Sequence, residues 1–146
     1  MKNGQKFDLG VTVLEVVHTP GHTPGSIVLI DRAKGICYSG DSFGSGQVWM
    51  QLEPHVSMKI YAASCQKMEK LMNGGITKVY CGHYPYVKKA FDKTYISNMR
   101  KLAEQLSKGV ALEAEDYPMD FGGGARKPKM VSLGEASIVY NSEKIN

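Results

Sequence analysis

The sequence predicts a layered α/β or α+β domain, and three observations carry that prediction. Short runs rich in β-branched residues end in Gly, Pro and Asp turn chemistry, two longer segments carry a helical apolar period, and the two kinds alternate along the chain. Polar loops fall at the strand ends. At 146 residues, 42% apolar and 22% charged, the chain is long enough for one domain with a single buried core.

Residues 11–18, V-T-V-L-E-V-V-H, read as a strand largely buried on both faces. The next stretch, H-T-P-G-H-T-P-G-S from His18 to Ser26, cannot be helical, because Pro20, Gly21, Pro24 and Gly25 interrupt it twice. Ile27 to Asp31 is a second strand, Arg32 to Gly35 a turn and Ile36 to Ser39 a third strand, so this pair reads as a hairpin. An irregular loop follows Gly40-Asp41 and contains the only tryptophan, Trp49. A helix starts at the N-cap residue Ser57, carries Ile60, Ala63, Met68, Leu71 and Met72 as its apolar stripe, and stops at Asn73-Gly74-Gly75. Thr77 to Cys81 is a short strand that ends in the loop C-G-H-Y-P-Y. A second helix covers about Phe91 to Lys108, with Tyr95, Met99, Leu102 and Leu106 on one side and Gly109 as the stop. Residues 109–146 read as a tail with a Gly/Pro-rich stretch around Phe121 to Pro128 and a final strand or hairpin over Val131 to Tyr140.

Composition narrows the function classes. No apolar run approaches the ~20 residues of a membrane helix. The N-terminal residues are polar and lack the apolar core of a signal peptide, which predicts a cytoplasmic chain or one whose natural start has been removed. Cys37, Cys65 and Cys81 are an odd number with no C-x-x-C pair, so a disulfide framework is not expected. The net charge of +4 is spread over separate clusters (Lys88-Lys89, Arg100-Lys101, Arg126-Lys127 with Lys129), so no nucleic-acid partner is expected.

His22, Asp41 and His83 each lie directly after a predicted strand, where a rigid sheet presents functional groups. Two imidazoles and a carboxylate suit zinc, or iron and manganese with a different remaining shell. Proline fixes φ and glycine permits tight turns, so the backbone around His22 is held in place independently of any ligand. His18 ends its strand and reads as a structural brace for that loop.

The ordered set H-T-P-G-H-T-P-G-S, then Y-S-G-D-S, then C-G-H-Y-P after a helix resembles the metallo-β-lactamase-fold hydrolases over about residues 8–108. The resemblance implies that His22 and His83 belong to two different metal sites and that Asp41 bridges them, which makes Asp41 the candidate catalytic residue. It also implies zinc, two ions in the intact family site, and a metal-bound hydroxide that attacks an ester, thioester, lactone or phosphodiester. Asp at position 41 resembles the broad hydrolase branch, and Cys37, four residues earlier, is not assigned a ligand role. The loop from Phe43 to Leu52, Trp49 and Met50 especially, and Tyr84 and Tyr86 beside His83 are candidate pocket walls. The glycines before Trp49 suggest a loop that moves over substrate.

Family members carry an upstream H-x-H-x-D-H motif that supplies most of the metal shell. The sequence contains no such motif; its other histidines are His18 and His55. The resemblance therefore covers half of an αββα sandwich, one mixed sheet with flanking helices. Two expectations follow. Metal binding by the chain is weak or absent and the chain by itself is expected to be inactive, because neither site reaches three or four protein ligands. The apolar sheet face that packs on the other half of a sandwich is covered by a second copy, in a two-fold homodimer. The alternatives are a non-catalytic half-domain that dimerises and an iron-dependent oxidoreductase on the same fold.

Overall fold

Alternation of side chains along the β-branched runs builds a sheet with one face in the core and the other only partly covered. The computed structural model describes residues 1–54, 56–118 and 127–146. Strands β1 (Lys6–Asp8), β2 (Val13–His18), β3 (Ile27–Asp31), β4 (Ile36–Gly40) and β6 (Lys78–Cys81) form a sheet in the order β1-β2-β3-β4-β6. Its pairs are antiparallel except β4–β6, which run parallel because helix α1 (Met58–Asn73) lies between them in sequence.

The register places Ile30, Cys37 and Val79 in one row on the inner face, and all three are buried. The neighbouring row, Val16, Leu29, Tyr38 and Tyr80, lies on the opposite face, where Tyr38 stacks on Tyr80 at 6.1 Å. That face is only partly covered: Tyr38 is 43% exposed, while Leu29 and Tyr80 are half-buried and Val16 is buried. Val13, at the start of β2 on the inner face, is exposed as well. The expectation that residues 11–18 are buried on both faces is therefore corrected. A run of β-branched residues marks a strand, but whether its second face is covered depends on what packs there.

A second sheet, not anticipated from the sequence, has the order β5-β9-β8-β7, from β5 (Gln47–Met50), β7 (Glu115–Asp116), β8 (Lys129–Leu133) and β9 (Ala136–Tyr140). The segment around Trp49 is thus a strand paired in parallel with β9, rather than an irregular mobile loop. The partner strand lies some ninety residues away, so no local pattern signals the pairing. β8 and β9 form the predicted C-terminal hairpin, and the Gly/Pro-rich stretch before them lies largely outside the described residues.

Helix α1 begins at Ser57, whose hydroxyl accepts from the amide of Ile60, and helix α3 (Lys93–Ser107) at Asp92, whose carboxylate accepts from the amide of Tyr95 at 3.1 Å. The buried stripe of α1 is Met58, Tyr61, Ala62, Cys65, Met68 and Met72. The expected stripe is corrected in part, since Ile60 and Ala63 face solvent. The i, i+3, i+4 rule holds once Tyr61 and Cys65 are counted as core residues. In α3 the expected Tyr95, Met99, Leu102 and Leu106 are all buried. The two helices pack on each other, and α3 also packs on β8 and β9, so both sheets share one continuous core. This is a mixed α+β fold with two mixed sheets and flanking helices. No helix among the described residues is long and apolar enough to cross a membrane.

Candidate metal centre

Three loops at the ends of β2, β4 and β6 meet at one cleft of about 280 Å³, lined by His22, Asp41, Gly44, Ser45, Gln47, Trp49, Leu52 and His83. His22, Asp41 and His83, far apart in sequence, all contribute to its wall.

His22 sits in a loop closed by its own hydrogen bonds. The Thr19 amide donates to the Ser26 carbonyl at 3.0 Å, and the Thr23 amide to the Ser26 hydroxyl at 3.1 Å. Its ring is fixed from the other sheet, with Nδ1 2.6 Å from the carbonyl oxygen of Trp49. A carbonyl only accepts, so Nδ1 carries a proton, and the tautomer this selects has its lone pair on Nε2. A backbone carbonyl holding the far nitrogen is the usual arrangement behind a metal-binding imidazole.

Asp41 opens a single 3-10 turn, Asp41–Phe43, directly after β4. Gly40 precedes it at φ +51°, a left-handed conformation that a side chain strains. The carboxylate passes close over β6's end: a Cβ on Gly82 would lie 2.9 Å from Asp41 Oδ1. This close approach brings His83 Nε2 to 3.2 Å from the same oxygen, with both side chains about half exposed. His83 itself precedes a one-turn helix, α2 (Tyr84–Val87), within the stretch expected to be a loop.

The other predicted site residues divide. Trp49 lines the cleft, its indole nitrogen donating to Gln47 Oε1 at 2.8 Å while Tyr117 packs edge-on at 6.2 Å. Met50, 1% exposed, belongs to the core, which corrects its assignment as a pocket wall: adjacent residues of a strand face opposite ways. Tyr84 packs on Tyr80 at 5.5 Å and Tyr86 lies 6.3 Å from the His83 ring, and neither lines the cleft. They fall outside it because α2 turns the chain away just after His83. His18 is a brace, but for the N-terminal segment rather than the Pro/Gly loop: its ring Nε2 meets the Met1 carbonyl at 3.1 Å and its amide donates to Asn3 Oδ1. Gln47 and Leu52, with Gly44 and Ser45, fall within the 43–52 segment expected to wall the pocket, though the sequence singles out none of them. The alternation Gln47–Trp49 points to Gln47 once β5 is known to be a strand.

The donors suit a divalent metal in kind and in the direction of His22. They do not suffice in number, since among the described residues no group of three or more His, Cys, Asp or Glu side chains converges to hold an ion. A tight zinc site takes three or four protein ligands.

A sequence profile of the metallo-beta-lactamase superfamily matches residues 1–83, more than half of the chain. Acyl-coenzyme A thioesterase MBLAC2 of Gallus gallus is 37% identical over 87 residues, covering 58% of this chain and 30% of that protein. The Homo sapiens protein of the same name is 33% identical over 87 residues, with the same coverage of 58% and 30%. The chain thus spans about 30% of the length of the curated relatives it matches. Among solved structures, an archaeal metallo-beta-lactamase superfamily protein from Sulfolobus tokodaii matches with TM-score 0.55 and 18% identity, over 84% of this chain and 43% of that one. ETHE1 from Myxococcus xanthus matches with TM-score 0.55 and 18% identity, over 77% of this chain and 52% of that one. At these identities the structures speak for the fold alone, and they agree with the profile and the ordered loop motifs. The chain belongs to the metallo-beta-lactamase superfamily.

Proposed function

We propose that this chain supplies one wall of a metal-dependent hydrolase site that acts on acyl thioesters, with His22, Asp41 and His83 as its metal donors. The observation that carries the reading is the convergence of these three loop residues on one cleft, with His22 held in the tautomer that presents Nε2. The relatives named as acyl-coenzyme A thioesterases favour a thioester over the other acyl and phosphoryl substrates of the superfamily. When bound, zinc, or iron or manganese in its place, supplies an activated water and polarises the scissile carbonyl.

The chain's own residues have separable tasks. His22 presents a lone pair fixed by the Trp49 carbonyl. Asp41 offers two carboxylate oxygens at the rim, one of them 3.2 Å from His83. Trp49 and Leu52 provide an apolar wall suited to an acyl chain, and Gln47 is held from three sides: Trp49 and Tyr117 donate to its Oε1, and its Nε2 donates to Met130 Sδ. The remaining ligands of a full shell come from outside this donor set, so the chain alone is expected to hold metal weakly and be inactive as isolated, with slow turnover only when Zn²⁺ is supplied in excess. The test is release of free CoA from acyl-CoA with Zn²⁺ added. Activity that a chelator abolishes and Asp41→Asn or His83→Ala reduces at least about tenfold supports the reading. Hydrolysis indifferent to both variants counts against it.

A second reading, a non-catalytic half-domain that forms a homodimer, draws on the partly covered sheet face with Leu29, Tyr38 and Tyr80. Apolar area of this kind on a sheet favours a partner surface. Sedimentation at micromolar concentration tests it: a dimer lost on Leu29→Glu supports it, and a stable wild-type monomer refutes it. The compartment proposed for either reading is the cytoplasm.

A further inference from the structure

One buried ring stands between the loop of His22 and the loop of Asp41. Tyr61, on the first turn of α1, is fully buried and touches both. Its ring occupies the space where a side chain on Gly21 would go: a Cβ built there would lie 2.2 Å from Tyr61 Cδ2. Its hydroxyl donates to the carbonyl of Ser42 at 2.9 Å. Gly21 immediately precedes His22, and Ser42 immediately follows Asp41. Two further bonds close the same unit. Ser64, one turn along α1, donates to the Pro20 carbonyl at 2.8 Å, and the Thr19 hydroxyl donates to Ser42 Oγ at 3.0 Å.

A buried phenol without its acceptor, or a buried carbonyl without its donor, is costly, so the bond to Ser42 holds the ring at one depth. With the ring fixed, Gly21 has a fixed surface to rest on. The His22 loop and the Asp41 loop are therefore referenced to the same side chain, and displacing it shifts both. We infer that Tyr61 is a positioning residue that sets the spacing of His22 and Asp41 as one unit. The inference rests on reading those residues as donors to a common site.

The test uses the metal-free chain and reads the imidazoles by nitrogen-15 NMR. Tyr61→Phe keeps the ring and removes only the hydroxyl. The expected result is a shift of both the His22 and His83 ring signals, since His83 is held by Asp41, with the ratio of Nδ1-H to Nε2-H tautomer at His22 falling by about threefold, the factor of one weakened hydrogen bond. Met72→Ala opens a cavity at the far end of the same helix and is expected to lower the melting temperature at least as much while moving neither ring. Should Tyr61→Phe not fold, Ser64→Ala removes the Pro20 tether and is expected to shift His22. The inference is overturned if folded Tyr61→Phe leaves either ring unmoved, if Ser64→Ala used in its place leaves His22 unmoved, or if Met72→Ala moves both equally. Absence of hydrolysis by the wild-type chain would defeat the functional reading and leave this metal-free result standing.

Discussion

Replacing Gly21 by alanine places a methyl carbon 2.2 Å from Cδ2 and 2.8 Å from Cε2 of Tyr61. Carbon atoms in ordinary contact stay about 3.5–4.0 Å apart, so loop and ring must separate by about 1.3–1.8 Å. The ring has little room to retreat, being fully buried, with Phe43 at 6.0 Å between centroids and its hydroxyl bonded to Ser42. Overpacking of this kind costs about 1–3 kcal/mol. In a domain of this size each kcal/mol moves the melting temperature by about 2–4 °C, so a fall of about 2–12 °C is expected. Gly25 is the internal control, the second Pro-Gly glycine of the same loop. A Cβ there meets nothing within 4 Å, and Gly25 does not adopt positive φ. Gly25→Ala is therefore expected to be neutral or to stabilise by about 0.4–1 kcal/mol through the unfolded chain. Thermal melts followed by circular dichroism compare the two. Equal melting temperatures for the variants, or a Gly21→Ala protein as stable as wild type, would refute the reasoning.

Three further outcomes are expected. The Arg32 guanidinium, bonded to Glu15 at 2.6 and 3.0 Å, holds that carboxyl below its usual range against the opposing effect of burial, and Gln66 with Arg100 does the same for Glu104. Folded values below the unfolded ones mean that this stabilisation is complete above about pH 5 and is lost as pH falls through the folded values. Urea midpoints should drop between about pH 5 and pH 3, less steeply in Arg32→Met, and a drop centred above pH 6 would contradict the assignment. Burial pushes the Cys37 thiol up to about 12 and raises Cys65 as well, so neither should react with a disulfide reagent in the native state near pH 8, and both should react once unfolded. Gln51 is buried with both amide atoms unpaired, so Gln51→Leu should raise stability by about 1–3 kcal/mol in denaturant titrations; a loss would show that the amide has a partner in solution.

The elements that local chemistry controls were legible in the sequence. Ser57 and the Asn73-Gly74-Gly75 stop bound α1, Asp92 caps α3 close to its expected start, and Gly35 turns the β3–β4 hairpin at φ +64°. What long-range pairing controls was not legible. β5 is a strand only because β9 lies beside it, and Met50 turns inward for the same reason. The site shows the same division. His22, Asp41 and His83 announce themselves by following strands in an ordered set of Pro, Gly and Asp motifs. Their common cleft, the Trp49 carbonyl behind His22 and the ring of Tyr61 behind both loops depend on side chains from distant elements. Tyr61 reads in sequence as one more apolar residue on a helix face, and only the missing Cβ of Gly21 opposite reveals its contact.

The central claim is that His22, Asp41 and His83 act together toward one metal-binding cleft. Titration of the chain with Zn²⁺, followed by the ring signals of the histidines, tests it most directly because it detects weak binding. The account expects the His22 and His83 signals to shift together, with His18 unchanged, and Asp41→Asn to weaken both responses. Zinc that shifts neither ring up to millimolar concentration, or that moves His18 instead, would contradict it.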